Sequence, residues 1–154
     1  MIEAPRGSRN KYEADHDTGA IWLDRMLFTA TQFPADYGFI PETLAPDGDP
    51  LDAVVLLDEP TFPGCHVRGR VVGLFRMHDE HGQDDKVVAV PATDPRWDTF
   101  EDVGDLPEHL KREIAHFFDV YKDLEPGSAT EIQGWTDAST AASVIEEARA
   151  QAAR

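Results

Sequence analysis

The chain has 154 residues, with 30 Asp and Glu against 14 Lys and Arg and a formal net charge of −16. Nucleic-acid binding normally rests on Lys and Arg that neutralise phosphates, so this balance argues against a nucleic-acid partner. The single cysteine excludes an internal disulfide framework. No signal-like segment or membrane-length apolar run is present, so we expect one cytoplasmic domain over residues 1–154 with no membrane partner.

Short apolar segments recur through the first two-thirds of the chain, separated by turns rich in Gly, Pro and Asp. They occupy residues 20–23, 53–57, 67–74 and 87–90. This rhythm predicts a compact sheet or barrel. The remainder of the chain is predicted to be helical. Apolar residues at steps of four, three and four predict a helix over residues 106–124, and an Ala-rich helix should run from about Asp137 towards the C-terminus.

Three carboxylates fall within six residues in Asp47-Gly48-Asp49-Pro50-Leu51-Asp52, directly before an apolar segment. Such crowding disfavours joint ionisation, so the cluster needs either open water or a hard metal ion. If the backbone is extended there, Asp47 and Asp49 share a face and Asp52 returns to it. An EF-hand is rejected, because its loop needs Gly at the sixth position and Glu at the twelfth. A solvated acidic turn stays open as an alternative.

A second acidic cluster spans residues 79–86, as Asp79-Glu80-His81-Gly82-Gln83-Asp84-Asp85-Lys86. It lies between two apolar segments and is predicted to connect the strands of a hairpin. A charged connection of this kind is commonly only a solvated tip. Two acid-rich loops at the rim of one small β domain could, however, share hard cations between them.

Basic and phenolic residues occur in the same regions. They are Lys11, Arg25, Lys86, Lys122, Tyr37 and Tyr121. Phosphoryl transfer to water needs metals to activate the water and bridge the substrate, and Arg, Lys or Tyr to stabilise charge on the departing group. Each residue also has a plain structural explanation: Lys122 suits a helix C-terminus, Tyr121 continues an apolar helix face, and Arg25 can pair with Asp24 on the surface.

The ordered set of these motifs resembles the family I soluble inorganic pyrophosphatases. The hexapeptide at residues 47–52 meets the family's acidic signature, and further matches run in order from residue 2 to about residue 135. They are Lys11-Tyr12-Glu13, Leu23-Asp24-Arg25, Asp36-Tyr37-Gly38-Phe39-Ile40, the loop at residues 79–86, His116-Phe117-Phe118 and Tyr121-Lys122-Asp123-Leu124-Glu125. The chain is most similar to the short bacterial form, and its residues 9–13 and 62–64 resemble those of actinobacterial members.

The resemblance implies an α+β, mainly β fold, with a five-stranded OB-like closed β-barrel flanked by helices. It also implies Mg²⁺-dependent hydrolysis of pyrophosphate to two phosphates in a homohexamer, with Mn²⁺ or Zn²⁺ as possible substitutes for Mg²⁺. Carried over by position, the main metal carboxylates are Asp47, Asp52, Asp79 and Asp84, with Glu3 and Glu13 in supporting or metal roles. Asp49 matches the carboxylate that orients the attacking water, although Asp84 competes for the acceptor role. The residues that match the family's phosphate-binding positions are Lys11, Arg25, Tyr37, Lys86, Tyr121 and Lys122.

Four positions need separate expectations. Phe33 stands where the family usually has Tyr, which removes one phenolic hydroxyl. Glu3 lies near the N-terminus, where fraying would weaken a metal role. His16 and His81 follow acidic residues and are candidate accessory groups at the site, with plain solvent exposure as the alternative.

Two other classes of function remain open on the sequence. A metal-dependent phosphodiesterase or nuclease would use the same acids but should carry a basic or aromatic track for its polymer. A non-catalytic β protein that binds divalent cations would explain the acids, but not the accompanying Lys, Arg and Tyr residues.

Overall fold

A computed structural model describes all 154 residues and contains nine strands, two α-helices and two short 3₁₀ turns. The strands are β1 (Ile2–Ala4), β2 (Asn10–Ala14), β3 (Ile21–Met26), β4 (Asp36–Phe39), β5 (Asp52–Val55), β6 (Gly69–Asp79), β7 (Gly82–Gln83), β8 (Lys86–Pro91) and β9 (Thr130–Thr136). The helices are α1 (Glu108–Val120) and α2 (Ala138–Ala152), and the 3₁₀ turns are Pro95–Trp97 and Val103–Asp105. The predicted mainly β composition with helices is confirmed.

Seven strands form one sheet and two form a separate hairpin. The sheet runs β1-β4-β5-β8-β6-β7, with β9 also paired to β6, while β2 pairs only with β3. Strands β5 and β8 are parallel, and the other pairs are antiparallel. The hydrogen-bonded pairs follow an open path, so closure of five strands into an OB-like barrel is not confirmed.

The two helices cover different parts of the sheet. Phe75 on β6 belongs to a core cluster that includes Ile114 and Phe117 of α1, whereas its neighbour Leu74 belongs to a cluster that includes Ile145 of α2. Successive side chains of a strand point to opposite faces, so one strand anchors both helices. Neither helix has the length and apolar character needed to cross a membrane.

The helix boundaries follow local signals. Asp137 caps α2 by accepting a hydrogen bond from the Thr140 N–H at 2.8 Å, as an N-cap aspartate should. Helix α1 ends at Val120, four residues before the predicted end, and Tyr121 is its C-cap. The apolar face of α1 is confirmed, because Ile114, Phe117 and Tyr121 are all buried.

The prediction of a wholly helical final third was wrong, because β9 lies between the two helices. The sequence of β9 is mostly polar, and its strand character comes from pairing along β6 from Leu74 to Asp79. The apolar segment at residues 20–23 also differs from a core strand, since Trp22 and Leu23 are 65% and 58% exposed. Pairing with β2 alone leaves this hairpin outside the main sheet.

Candidate active site

An acidic cleft of about 620 Å³ opens where the β2–β3 hairpin, the start of β5, the β6–β8 connection and the chain after α1 meet. Nine carboxylates line it: Glu3, Glu13, Asp47, Asp49, Asp52, Asp79, Glu80, Asp84 and Glu125. Its cationic, aromatic and imidazole side chains are Lys11, Arg25, Lys122, Tyr37, Phe39, Tyr121, His16 and His81. The structure therefore brings every predicted site residue to one cleft except Lys86, which lies buried behind it.

The first acidic loop reaches the cleft as a turn, so the condition of an extended backbone, under which Asp47 and Asp49 would share a face, is not met. Gly48 has φ +96°, which is the left-handed region that favours glycine. The Asp49 N–H donates to Asp47 Oδ1 at 3.0 Å, and the Ala45 N–H donates to the Asp49 carbonyl at 2.7 Å. These bonds hold the loop by its backbone. The Asp49 carboxylate forms no hydrogen bond and faces the cleft unpaired.

A buried ammonium group organises the floor of the cleft. Lys86 Nζ lies 2.8 Å from Asp52 and 2.8 Å from Asp84, and its side chain is 1% exposed. The parallel register pairs Asp52 with Lys86, and Asp84 lies two residues earlier in the chain, on the same side. Tyr37 donates to the same oxygen of Asp52 at 2.5 Å. The sheet register therefore gathers two predicted metal carboxylates around one cation.

Burial and charge shift the ionisation of this floor. Burial raises the pKa of Asp84, and the nearby Asp52 and Asp79 raise it further against the opposing effect of Lys86. Burial lowers the pKa of Lys86, but the charges of Asp52 and Asp84 outweigh burial and raise this pKa well above its usual value. Burial also raises the pKa of Tyr37, so its hydroxyl stays a hydrogen-bond donor at neutral pH. The floor thus carries crowded negative charge that Lys86 only partly offsets.

The second acidic loop connects β6 and β8, as predicted, and includes the two-residue strand β7. Asp79 and Glu80 each approach Lys122 Nζ at 3.3 Å. Burial raises the pKa of Asp79, but the bond from the His81 N–H and the charge of Lys122 outweigh it and lower the pKa. The His81 imidazole is 74% exposed at the rim, 3.9 Å from Glu80.

The N-terminal wall is held more firmly than predicted. Glu3 lies in β1 and accepts the Ala14 N–H at 2.8 Å, and the Met1 ammonium donates to the Phe39 carbonyl at 2.7 Å. The expectation that Glu3 sits at a fraying end was therefore wrong. Burial raises the pKa of Glu3, and the neighbouring Asp52 adds to the shift. His16 is exposed beside it and packs edge-on against Phe39, with ring centres 4.9 Å apart.

The β2–β3 hairpin supplies two cations side by side. Lys11 and Arg25 are register partners, and both contact Asp24, Lys11 at 3.5 Å. Lys11 also pairs with Glu13. One terminal nitrogen of Arg25 lies 2.8 Å and 3.0 Å from the two oxygens of Glu125. Arg25 thus reaches across the cleft instead of forming only the surface pair with Asp24.

Aromatic packing fixes the phenols of the site. Phe33 is 1% exposed and stacks on Tyr37 with ring centres 5.5 Å apart. Tyr121 packs against Phe117 and Phe118 at 5.1 Å and 5.6 Å. Burial raises the pKa of Tyr121 despite the opposing charges of Lys86 and Lys122. Phe33 therefore supports the Tyr37 ring by apolar contact.

Two lining carboxylates, Glu80 and Glu125, were not predicted as site residues. Both lie next to motifs that were singled out, Glu80 beside Asp79 and Glu125 at the end of the Tyr121-Lys122 motif. Their contacts with Lys122 and Arg25 depend on long-range folding. The only sequence signal for Glu80 and Glu125 is that they lie beside a motif. That signal does not distinguish a site residue from an ordinary solvent-exposed acid.

The cleft offers the oxygen ligands that a hard divalent cation binds. No group of three or more Asp, Glu, His or Cys side chains is gathered closely enough to hold a metal ion by itself. Pairs of carboxylates nevertheless converge on single points, Asp52 with Asp84 at Lys86 and Asp79 with Glu80 at Lys122. Carboxylate oxygens are the preferred ligands of Mg²⁺ and related ions, so the carboxylates of the cleft are of the right chemical type to bind such an ion.

Comparisons with known proteins agree on one family. The family model described as inorganic pyrophosphatase matches residues 1–153. The inorganic pyrophosphatase of Streptomyces coelicolor is 58% identical over 145 residues, which cover 94% of this chain and 89% of that protein. The one from Leifsonia xyli is 55% identical, over 95% of this chain and 90% of that protein. The crystal structure of the Thermus thermophilus inorganic pyrophosphatase has a TM-score of 0.97 at 51% identity, covering 100% of this chain and 90% of that chain.

Proposed function

This chain belongs to the inorganic pyrophosphatase family, and we propose that its acidic cleft hydrolyses inorganic pyrophosphate to two phosphates with water as the nucleophile. The observation that carries the proposal is the convergence of acidic, cationic and phenolic groups in one cleft of a chain that matches the family model almost end to end. Removal of pyrophosphate would drive biosynthetic reactions that release it. Family membership favours this activity over a nuclease or a non-catalytic cation-binding protein.

The family uses a divalent metal cofactor, and we assign it to the carboxylates of the cleft. The residues that would hold it are Asp47, Asp52, Asp79 and Asp84, with Glu3 and Glu13 beside them. Their hard oxygens suit Mg²⁺, with Mn²⁺ or Zn²⁺ as substitutes. When bound, such ions lower the pKa of coordinated water and neutralise charge on the phosphates.

Asp49 is the carboxylate best placed to orient the attacking water and accept its proton. Its side chain forms no hydrogen bond in the structure and lines the cleft, so both oxygens are available. Asp84, the competing candidate, is already engaged by Lys86 at 2.8 Å. A carboxylate without a partner is the better general base, because it need not first break an ion pair.

The cationic and phenolic groups would hold the phosphates. Lys11, Arg25 and Lys122 line the cleft as point charges or a guanidinium fork, and Tyr121 offers a neutral hydroxyl. Tyr37 donates to Asp52 from the same wall. Lys86 contacts both Asp52 and Asp84, so we propose that it mainly holds these two carboxylates in place. Its direct contact with phosphate stays a prediction.

The finer features of the enzyme are also proposals. We propose one catalytic domain over residues 1–154, an OB-like barrel, a cytoplasmic location and a homohexamer. Exposed apolar side chains support a subunit interface, since Trp22, Met26, Phe28 and Phe62 are each more than half exposed. The accessory roles of His16 and His81 rest on their places at the cleft.

One assay tests the proposal. Phosphate release from pyrophosphate is measured with Mg²⁺, with chelator, and with Asp49→Asn. We expect metal-dependent release by the wild-type chain that the chelator abolishes and Asp49→Asn strongly reduces. Asp123→Asn is the matched control, because Asp123 is exposed and its side chain has no partner. No metal-dependent release would refute the proposal, and faster hydrolysis of a dinucleotide ester would favour a nuclease.

A further inference from the structure

Glu125 joins the two cationic walls of the cleft. One wall is the β2–β3 hairpin with Lys11 and Arg25, and the other is the segment after α1 with Tyr121 and Lys122. The Arg25–Glu125 pair links residues 100 apart in sequence at 2.8 Å and 3.0 Å. No other hydrogen bond or ion pair connects the hairpin with that segment.

The pair is shielded enough to fix a geometry. The side chains of Arg25 and Glu125 are 20% and 17% exposed, so both are mostly removed from water. Glu125 is itself held, because its backbone N–H donates to the Lys122 carbonyl at 2.8 Å and its own carbonyl accepts from the Ser128 hydroxyl at 3.0 Å. Because the Glu125 carboxylate is anchored, its hydrogen bonds fix both the position and the orientation of the planar Arg25 guanidinium.

The hairpin has a specific need for this contact. Strands β2 and β3 form their own two-stranded sheet and pair with no strand of the main sheet. The two terminal nitrogens of Arg25 are divided between Asp24, which belongs to the same hairpin, and Glu125, which belongs to the segment after α1. The buried Nε of Arg25 has no hydrogen-bond partner. Arg25 is therefore aimed by Glu125 and not by its own strand alone.

We infer that Glu125 is a positioning residue for the proposed hydrolysis, which acts through Arg25 to set the distance between the two cationic walls that receive the phosphates. The inference rests on the proposed function of the cleft. A misplacement of about 1 Å can cost a reaction on the order of a hundredfold in rate, so loss of this contact should be visible in turnover. Removing Glu125 also removes a negative charge near the substrate, which by itself would tighten binding of an anion.

A double-mutant cycle tests the inference. We expect Glu125→Ala to lower kcat for pyrophosphate about tenfold, with a smaller change in KM, and Glu125→Gln to retain more activity because its amide oxygen still accepts from Arg25. In an Arg25→Lys background, Glu125→Ala should cost less than about twofold, since the fork that Glu125 aims is gone. Glu113→Ala, on the exposed face of α1, is the control and should match the wild type.

The outcomes separate the possibilities. An equal loss from Glu125→Ala in both backgrounds would refute the inference, because Glu125 would then act independently of Arg25. Unchanged kcat with a lower KM would refute it as well, since Glu125 would only be masking positive charge. Thermal unfolding of each variant identifies general damage, and Glu125→Gln decides the case if Glu125→Ala unfolds. Absence of hydrolysis by the wild-type chain would instead refute the proposed function.

Discussion

Replacing Lys86 by Met removes the only cation from the floor of the cleft while keeping a similar apolar stem. Lys86 Nζ lies between Asp52 and Asp84 and 5.0 Å from the centre of the Phe118 ring. Met can keep the contact with Phe118, but it leaves two carboxylates that repel each other. The expected effect is a loss of stability that depends on how far those carboxylates are ionised.

The magnitude follows from the burial of the three groups. Removing one partner of a buried ion pair costs about 3–5 kcal/mol. Lys86 is 1% exposed, but Asp84 and Asp52 are 13% and 27% exposed, so water relieves part of the penalty. We therefore expect the lower end, about 3 kcal/mol at pH 8, which corresponds to roughly 6–12 °C in Tm for a chain of this size.

The pH dependence gives the prediction its sign. The folded state raises the pKa of Asp84 above its ordinary 3.8, so it binds that proton more tightly than the unfolded state. Stability is then lost as pH rises through the interval between the unfolded and the folded pKa. Without Lys86 this interval widens. The deficit of Lys86→Met should be full at pH 8 and should shrink as pH falls towards the ordinary carboxylate range.

Urea unfolding of both proteins, at one protein concentration and several pH values, measures this deficit. Lys111→Met is the matched control, because Lys111 pairs with Glu108, which is 82% exposed, and such pairs contribute about 0–1 kcal/mol. Saturating Mg²⁺ should restore part of the lost stability, since a cation can replace the ammonium between the carboxylates. A deficit below about 1 kcal/mol, or one equal at low and high pH, would refute this reasoning.

Three further predictions concern other parts of the site. Asp49→Asn should lower kcat by about 10²–10⁴ and weaken Mg²⁺ binding much less, as measured by steady-state kinetics and calorimetric titration; the opposite order would mean that Asp49 is mainly a metal ligand. Gly38→Ala should destabilise the chain by about 1–3 kcal/mol and displace Glu3, because a Cβ there would lie 2.0 Å from the Met1 carbonyl oxygen, whereas Gly104→Ala, which meets nothing within 4 Å, should be nearly neutral in thermal unfolding. Phe33→Ala should cost about 3–5 kcal/mol in urea unfolding, since Phe33 is 1% exposed, and a cost under 1 kcal/mol would show that its stack is dispensable.

Much of the site could be predicted because its acidic residues lie in short sequence motifs. The three acids at residues 47–52 and the acids at residues 79–86 are hard to place in a folded chain without water or cations around them. The capping Asp137 and the apolar spacing of α1 likewise depend on neighbours only a few residues away. These features could be predicted because they depend on interactions between residues that are close together in the sequence.

Other features depended on residues far apart in the chain. The polar strand β9 exists because β6 offers an edge for it, and Trp22 and Leu23 of β3 stay exposed in a hairpin that pairs only with itself. The loop at residues 47–49 is a turn and not an extended segment, because the Asp49 N–H donates to Asp47 Oδ1 and the Ala45 N–H donates to the Asp49 carbonyl. No local pattern carries that information.

By itself, the sequence determined which chemical groups the protein possesses and the family to which their order belongs. Only the tertiary structure decided how those groups are used. The parallel pairing of β5 with β8 places Asp52 beside Lys86, and the packing of α1 brings Glu125 to Arg25. The physical reason is that charge–charge interactions act over a few ångströms, and the fold alone decides which distant residues come that close.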